Sequence, residues 1–306
     1  MSTASATRAL SSTAFFTLLL IALVMGANHV AARLAFNNGV DVATAVVFRS
    51  AVSATVLAII IRLQGVPFRF DALTPRQRRF VPLIGLLIGF QSLTIYSSVA
   101  RLPVALALLA FNSYPIWAAI WARVLYREPV ARQLLVAMPV LLFGLTLALD
   151  VFGAASGLGA SAHWGRIGAG VAFALTAGST FGLAMVVTQH EAGAVDGRVR
   201  TLTTLAITGA LALVLVLLQG GPQLPKAASG WWGLAALTFL YGTAFTIMFT
   251  VLPRLGVVGN SAIMNVEPVF ALVLAWAILG QTIASVQVVG AVIVVATVVM
   301  LGMRKK

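Results

Sequence analysis

RLPVALALLAFNSYPIWA (residues 101–118) and RLGVVGNSAIMNVEPVFA (residues 254–271) decide the fold. Laid over one another at an offset of 153, they match Arg101 with Arg254, Leu102 with Leu255, Asn112 with Asn265, Pro115 with Pro268 and Ala118 with Ala271. Leu and Ala coincide easily in a chain this apolar. Arg, Asn and Pro do not, because an apolar segment has little general use for them. Proline and asparagine inside a hydrophobic span break and polarise a helix, and here they do so twice at equivalent places. That pattern points to a membrane transporter with its binding site between two related halves.

Composition agrees. Hydrophobic residues make up 60% of the chain and charged ones 9%, with a mean hydropathy of +1.03, which excludes an ordinary soluble domain. A crossing of the hydrocarbon core needs about 20 apolar residues. Ten such runs are present: Thr13 to Ala35, Ala43 to Ile61, Phe80 to Val99, Val104 to Tyr126, Ala131 to Val151, Ile167 to Thr188, Leu202 to Leu218, Trp231 to Leu252, Val257 to Leu279 and Val286 to Met303. Barrel strands would be about ten residues long and alternating, and these runs are neither. The chain has no cysteine, so disulfide and thiolate chemistry are excluded.

The net charge of +13 is a matter of topology rather than of nucleic acid. With a cytoplasmic N-terminus, the inner regions carry Arg8, Arg62, Arg69, Arg76, Arg78, Arg79, Arg123, Arg127, Arg132, Arg198, Arg200, Arg254, Arg304, Lys305 and Lys306. The outer regions carry Arg33, Arg101, Arg166 and Lys226, and Arg49 is left inside a span. This asymmetry predicts ten spans with both termini cytoplasmic. The first span resembles a leader in following a basic residue. Its Ala22-Leu23…Gly26 nevertheless echoes Ala174-Leu175…Gly178 at an offset of 152, as expected of the first helix of a repeat.

The Gly-, Ala- and Ser-rich stretch at Phe152 to Trp164 separates five spans from five. The expected organisation is a first five-helix repeat over residues 1–151, a linker over 152–166 and a second repeat over 167–306. An odd number of spans per half inverts the second repeat in the membrane. The fold class is therefore all-α: ten transmembrane helices as two inverted five-helix repeats around a central cavity, the arrangement that supports alternating access.

These residues carry a family resemblance. Gly26-Ala27-Asn28-His29-Val30 resembles the W-G-x-N-F signature in the first helix of the drug/metabolite transporter superfamily in its ten-helix EamA-type form, with Met25 before the glycine. Arg101-Leu-Pro-Val-Ala, with Asn112 and Pro115, is similar to that family's fourth helix, and Arg254 to Pro268 to its ninth. Family members usually end both helices with Gly-Glu; here the dipeptides are Arg127-Glu128 and Gly280-Gln281. The branch that the chain most resembles is the bacterial aromatic amino acid exporters. The resemblance implies a multi-pass protein of the bacterial inner membrane, with a cavity formed by helices 1, 3, 4, 6, 8 and 9 and with helices 5 and 10 outside it.

The residues themselves suggest where chemistry resides. Pro115 and Pro268 each remove an intrahelical hydrogen bond and free a carbonyl, so with Asn112 and Asn265 they are expected to form gating hinges. Pro82, Pro103, Pro139 and Pro253 lie nearer helix ends and need no such role. Glu267 is the one carboxylate deep inside a span, where a charge costs about 2.5–3.5 kcal/mol. It could bind a substrate amine, carry a proton, or pair with Arg49. Asn28 and His29 are polar in mid-span. Tyr96, Phe111, Tyr114, Trp117, Tyr241 and Phe245 are candidates for an aromatic cavity lining, whereas Trp164, Trp231, Trp232 and Tyr126 suit the interface.

His163 and His190 fall at opposite membrane faces, so no metal site is expected, and no phosphate loop or catalytic constellation appears. The expectation is a non-enzyme without cofactor, exporting amino acids of aromatic or bulky neutral type. Multidrug or metabolite efflux is the second reading, and a membrane-embedded enzyme or scaffold the third. Gly290 and its small neighbours could pack a homodimer.

Overall fold

The computed structural model describes residues 12–65, 73–130, 132–153, 157, 160–250 and 265–303. Pro253 and Arg254 lie outside the described residues, as does the side chain of Phe245. Among the described residues there are eleven α-helices and no strand: α1 (Ser12–Asn37), α2 (Val42–Leu63), α3 (Pro75–Val99), α4 (Val104–Phe111), α5 (Tyr114–Tyr126), α6 (Arg132–Ala148), α7 (Ala160–Glu191), α8 (Gly197–Leu218), α9 (Ala228–Thr250), α10 (Glu267–Leu279) and α11 (Ser285–Met303). Six helical spans are long and apolar enough to cross a membrane, α4 and α5 together counting as one of them; shorter apolar helices accompany them.

The outer surface of the bundle is apolar. Phe16, Leu63, Val136, Leu217, Leu218, Trp232 and Phe239 are all exposed. A soluble protein does not expose greasy side chains on so many helices at once; lipid tails favour them.

Local signals set the helix starts. The Asp41 carboxylate accepts from the Thr44 amide at 2.8 Å to begin α2. Thr74 and Gln77 form a reciprocal capping box on α3, with Pro75 in the first turn. The fourth apolar run reads as one span and folds as two helices. Pro115 has no amide hydrogen to donate back to Phe111, and α4 stops at Asn112 before α5 begins at Tyr114.

Packing follows an exchange rule between the halves. α1 lies against α9 and α10, and α7 lies against α3 and α5. α2 meets α9 as α8 meets α3, while α2 with α8 and α6 with α11 form pairs that map onto themselves. Two glycines make two of these crossings equivalent. A Cβ on Gly26 would stand 3.1 Å from the Glu267 carbonyl and 3.1 Å from the Ala271 amide. On Gly182 it would stand 3.0 Å from the Tyr114 carbonyl and 2.7 Å from the Ala118 amide. Tyr114 and Ala118 are the residues that the 153 offset matches to Glu267 and Ala271, so Gly26 corresponds in packing to Gly182.

Gly290, a candidate for a contact between chains, is used within one. Its Cβ would be 2.6 Å from the Gly144 carbonyl, so the small-residue stripe of α11 is taken up by α6.

The Arg127-Glu128 and Gly280-Gln281 dipeptides have a common geometry. Arg127 (φ 57°) and Gly280 (φ 64°) both adopt the left-handed conformation that ends a helix. The next amide then reaches back, Glu128 to the Ala122 carbonyl at 3.3 Å and Gln281 to that of Ala275 at 3.1 Å. The side chains beyond the turn clamp a neighbour. Glu128 Oε1 lies 3.0 Å from His190 Nε2 on α7, and Gln281 Oε1 accepts from the Val104 amide at 3.0 Å, capping α4. Arginine is strained at this turn where glycine is not. Arg127→Gly, at an exposed position, is expected to stabilise the fold by about 0.5–1 kcal/mol, read as a higher unfolding midpoint in detergent; a lower midpoint would contradict the strain argument.

Candidate functional site

The break between α4 and α5 makes the site possible. With Pro115 unable to donate, the Phe111 carbonyl is left for other partners, and Gly178 on α7 approaches so closely that its Cβ would lie 2.9 Å from that oxygen. The Asn112 side chain stays local, its Nδ2 donating to the Leu108 carbonyl at 3.0 Å. Asn265 is used differently: its Oδ1 accepts from the Tyr114 hydroxyl at 3.1 Å, joining the start of α5 to the residues just ahead of α10. Pro268, like Pro115, sits in the first turn of its helix; residues 251–264 ahead of α10 lie outside the described residues.

Around Tyr114 an aromatic cluster forms. Phe111 stacks obliquely on Tyr114 with centroids 5.8 Å apart, and Phe181 of α7 meets both, at 5.4 Å and 5.2 Å. Phe181 is absent from the aromatic set expected from sequence. Trp117 is half-buried and takes no part in these ring contacts.

A set of polar groups gathers around Tyr96. Asn28 is fully buried, and the Tyr96 hydroxyl accepts from its Nδ2 at 3.1 Å and donates to its Oδ1 at 3.2 Å. The His29 ring meets Tyr96 edge-on at 5.5 Å. Its Nε2 lies 3.4 Å from Glu267 Oε1, close enough for an ion pair but without a hydrogen bond to that oxygen. Glu267 thus stands next to His29, and of its three readings the pairing with Arg49 is the one not formed.

Arg49 has another environment. Its guanidinium carbon sits 4.8 Å from the Tyr96 ring centre and 3.9 Å from that of Tyr241, a double cation–π contact. Its side chain comes from α2, outside the six helices from which the cavity is expected, and it is buried. Asn28, His29, Tyr96, Tyr241 and Glu267 are therefore brought into one chain of contacts with Arg49. Tyr114, Phe111 and Asn265 form a second group; Asn112 supports the break from within α4.

A further polar cluster lies at the ends of α3, α5 and α7. Arg76 donates to the buried carboxylate of Glu191 from both Nε and Nη2, the latter at 2.7 Å. Tyr126 donates to the same carboxylate at 2.8 Å, and its ring stacks on His190 at 3.8 Å and 9°. Tyr126 is thus a polar link between helices in addition to being an end-of-span aromatic. No group of three or more potential metal ligands occurs among the described residues.

Comparison with known proteins follows the same lines. The model of the EamA-like transporter family matches residues 12–149 and 168–303. A solved structure, described only as a crystal structure of a protein, aligns over 95% of this chain and 96% of its own at a TM-score of 0.59 and 18% identity, a likeness of fold. No curated protein matches the sequence significantly.

Proposed function

The chain belongs to the EamA-like transporter family and is a multi-pass membrane protein, and from that premise we propose that it exports amino acids, aromatic or bulky neutral ones, across the bacterial inner membrane. Two inverted five-helix repeats, with both termini cytoplasmic, would alternate access to a site between them. The reading rests chiefly on one observation: the Tyr114–Asn265 hydrogen bond joins the α4–α5 break to the residues that lead into α10, with an aromatic cluster around Tyr114 and with Glu267 beside His29. A flat side chain suits Phe111, Tyr114 and Phe181, with Trp117 and Phe245 as further aromatic candidates. An ammonium group suits Glu267. Pro115 and Pro268 act as hinges because each begins a helix that can pivot about a backbone segment lacking one hydrogen bond.

The test is reconstitution into liposomes, with a panel of amino acids and cationic dyes, with and without a pH gradient. Uptake or release of aromatic amino acids is the expected result. Movement of dyes without amino acids would replace the proposal with drug efflux.

A further inference from the structure

Arg49 is charged, buried to 3% exposure and held inside an apolar bundle, yet no carboxylate of the described residues comes within ion-pair distance of it. The faces of Tyr96 and Tyr241 steady the cation, but its Nε and Nη2 have no hydrogen-bond partner among the described residues. Three more orphans lie on α2 and α8. The hydroxyls of Ser50, Ser53 and Thr208 are buried without partners there. Ser50 borders α8 at Gly209, and Ser53 borders α9 at Gly242. Most buried polar groups in native interiors are hydrogen-bonded, and a buried unpaired charge is the costliest exception. Arg49, a planar fork of donors, with Ser50 beside it in the chain and Ser53 one turn further along α2, describes a place shaped for an acceptor that comes and goes.

Resting on the transporter reading above, we propose that Arg49 receives the carboxylate of the transported ligand, with the serine hydroxyls completing its hydrogen bonds. A carboxylate presents two oxygens in one plane, which a guanidinium meets with two parallel N–H donors. The two tyrosines then hold the fork edge-on to the ligand. Asn112 and Asn265 carry no charge to match a carboxylate, and they already make one hydrogen bond each, Asn112 Nδ2 to the Leu108 carbonyl and Asn265 Oδ1 from the Tyr114 hydroxyl. The anionic end of the ligand is therefore assigned to α2, opposite in charge to Glu267 on α10, and Tyr96 touches both Arg49 and His29, the neighbour of Glu267.

The experiment is ligand binding to the purified full chain in nanodiscs, using phenylalanine, 3-phenylpropanoate (no amine) and phenethylamine (no carboxylate). Wild type is expected to bind both carboxylates. Arg49→Gln should weaken both at least ten-fold and leave phenethylamine within two-fold, and Arg49→Lys, which keeps the charge but not the fork, should fall between. Unchanged carboxylate affinity in Arg49→Gln would overturn the proposal, and so would an equal loss for all three compounds, the signature of a merely structural arginine. If Arg49→Gln is not recovered folded, Arg49→Lys alone decides: an unchanged ratio of carboxylate to amine affinity refutes it. Absence of any carboxylate binding in wild type also refutes it. Wild type that binds 3-phenylpropanoate through Arg49 but moves no amino acid in liposomes would instead sink the amino acid reading and leave the carboxylate site standing.

Discussion

Glu267→Gln is expected to lower transport at least ten-fold and flatten its dependence on pH, while the protein becomes no less stable. The carboxylate stands at the first turn of α10, half-buried and without a hydrogen bond to Oε1, beside a histidine 3.4 Å away. An ionisable group at the centre of a membrane-spanning helix costs about 2.5–3.5 kcal/mol on insertion scales. Glutamine keeps the shape and removes that cost. A residue retained only for structure would make the substitution destabilising, because His29 would lose its acidic neighbour. A residue retained for function should give the opposite pair of results, less transport and equal or greater thermal stability. The readouts are initial rates in liposomes across pH and unfolding midpoints in detergent. A variant that keeps the wild-type pH profile would move the titrating group elsewhere; one that loses both activity and stability would return Glu267 to a structural ion pair.

How far such a site can be read from sequence depends on how conspicuous each residue is in its surroundings. Pro115, Pro268 and the two asparagines stand out because apolar helices have few reasons to contain them, and the break at Asn112 follows from the missing proline donor. Glu267 stands out for the same reason. Arg49 stands out too, but its neighbours do not, since they depend on which face of α2 meets α3 and α9. In a soluble helix the polar face would reveal that orientation. Here lipid-facing and protein-facing positions are equally apolar, so α2 has almost no amphipathic signal and the obvious charge partner is the wrong one. Phe181 is hidden likewise, one aromatic among many on a long apolar helix. The Gly-Glu positions show the reverse case: Glu128 and Gln281 differ chemically, yet each clamps a neighbouring helix, because what matters at both is an acceptor just beyond a left-handed turn.

Gly182→Val and Gly26→Val are expected to be equivalent and severe, each costing about 3 kcal/mol or abolishing folding, whereas Gly165→Val should lie within about 0.5 kcal/mol of wild type. Overpacking is tolerable when the obstacle is the tip of a side chain, which can rotate away. At Gly182 and Gly26 the obstacles are backbone atoms of the Tyr114–Ala118 and Glu267–Ala271 turns, 2.7 to 3.1 Å from the added Cβ. Gly165 has nothing within 4 Å. The equivalence is the sharper part, because sequence comparison pairs Gly26 with Gly178, one helical turn away. Small residues recur every turn on α7, at Gly178 and Gly182, so a similarity score can slip by one turn where packing cannot. Under the packing register, Ala22 is the counterpart of Gly178, and Gly178→Ala should be milder than Gly182→Val although its Cβ would meet the Phe111 carbonyl at 2.9 Å. If the halves exchange shapes during transport, the helices that cross the first turns of α5 and α10 must slide or pivot on equivalent glycines. A tolerated Gly26→Val beside a lethal Gly182→Val would show that only the first break is tightly crossed, and the exchange of conformations would then lack its structural basis.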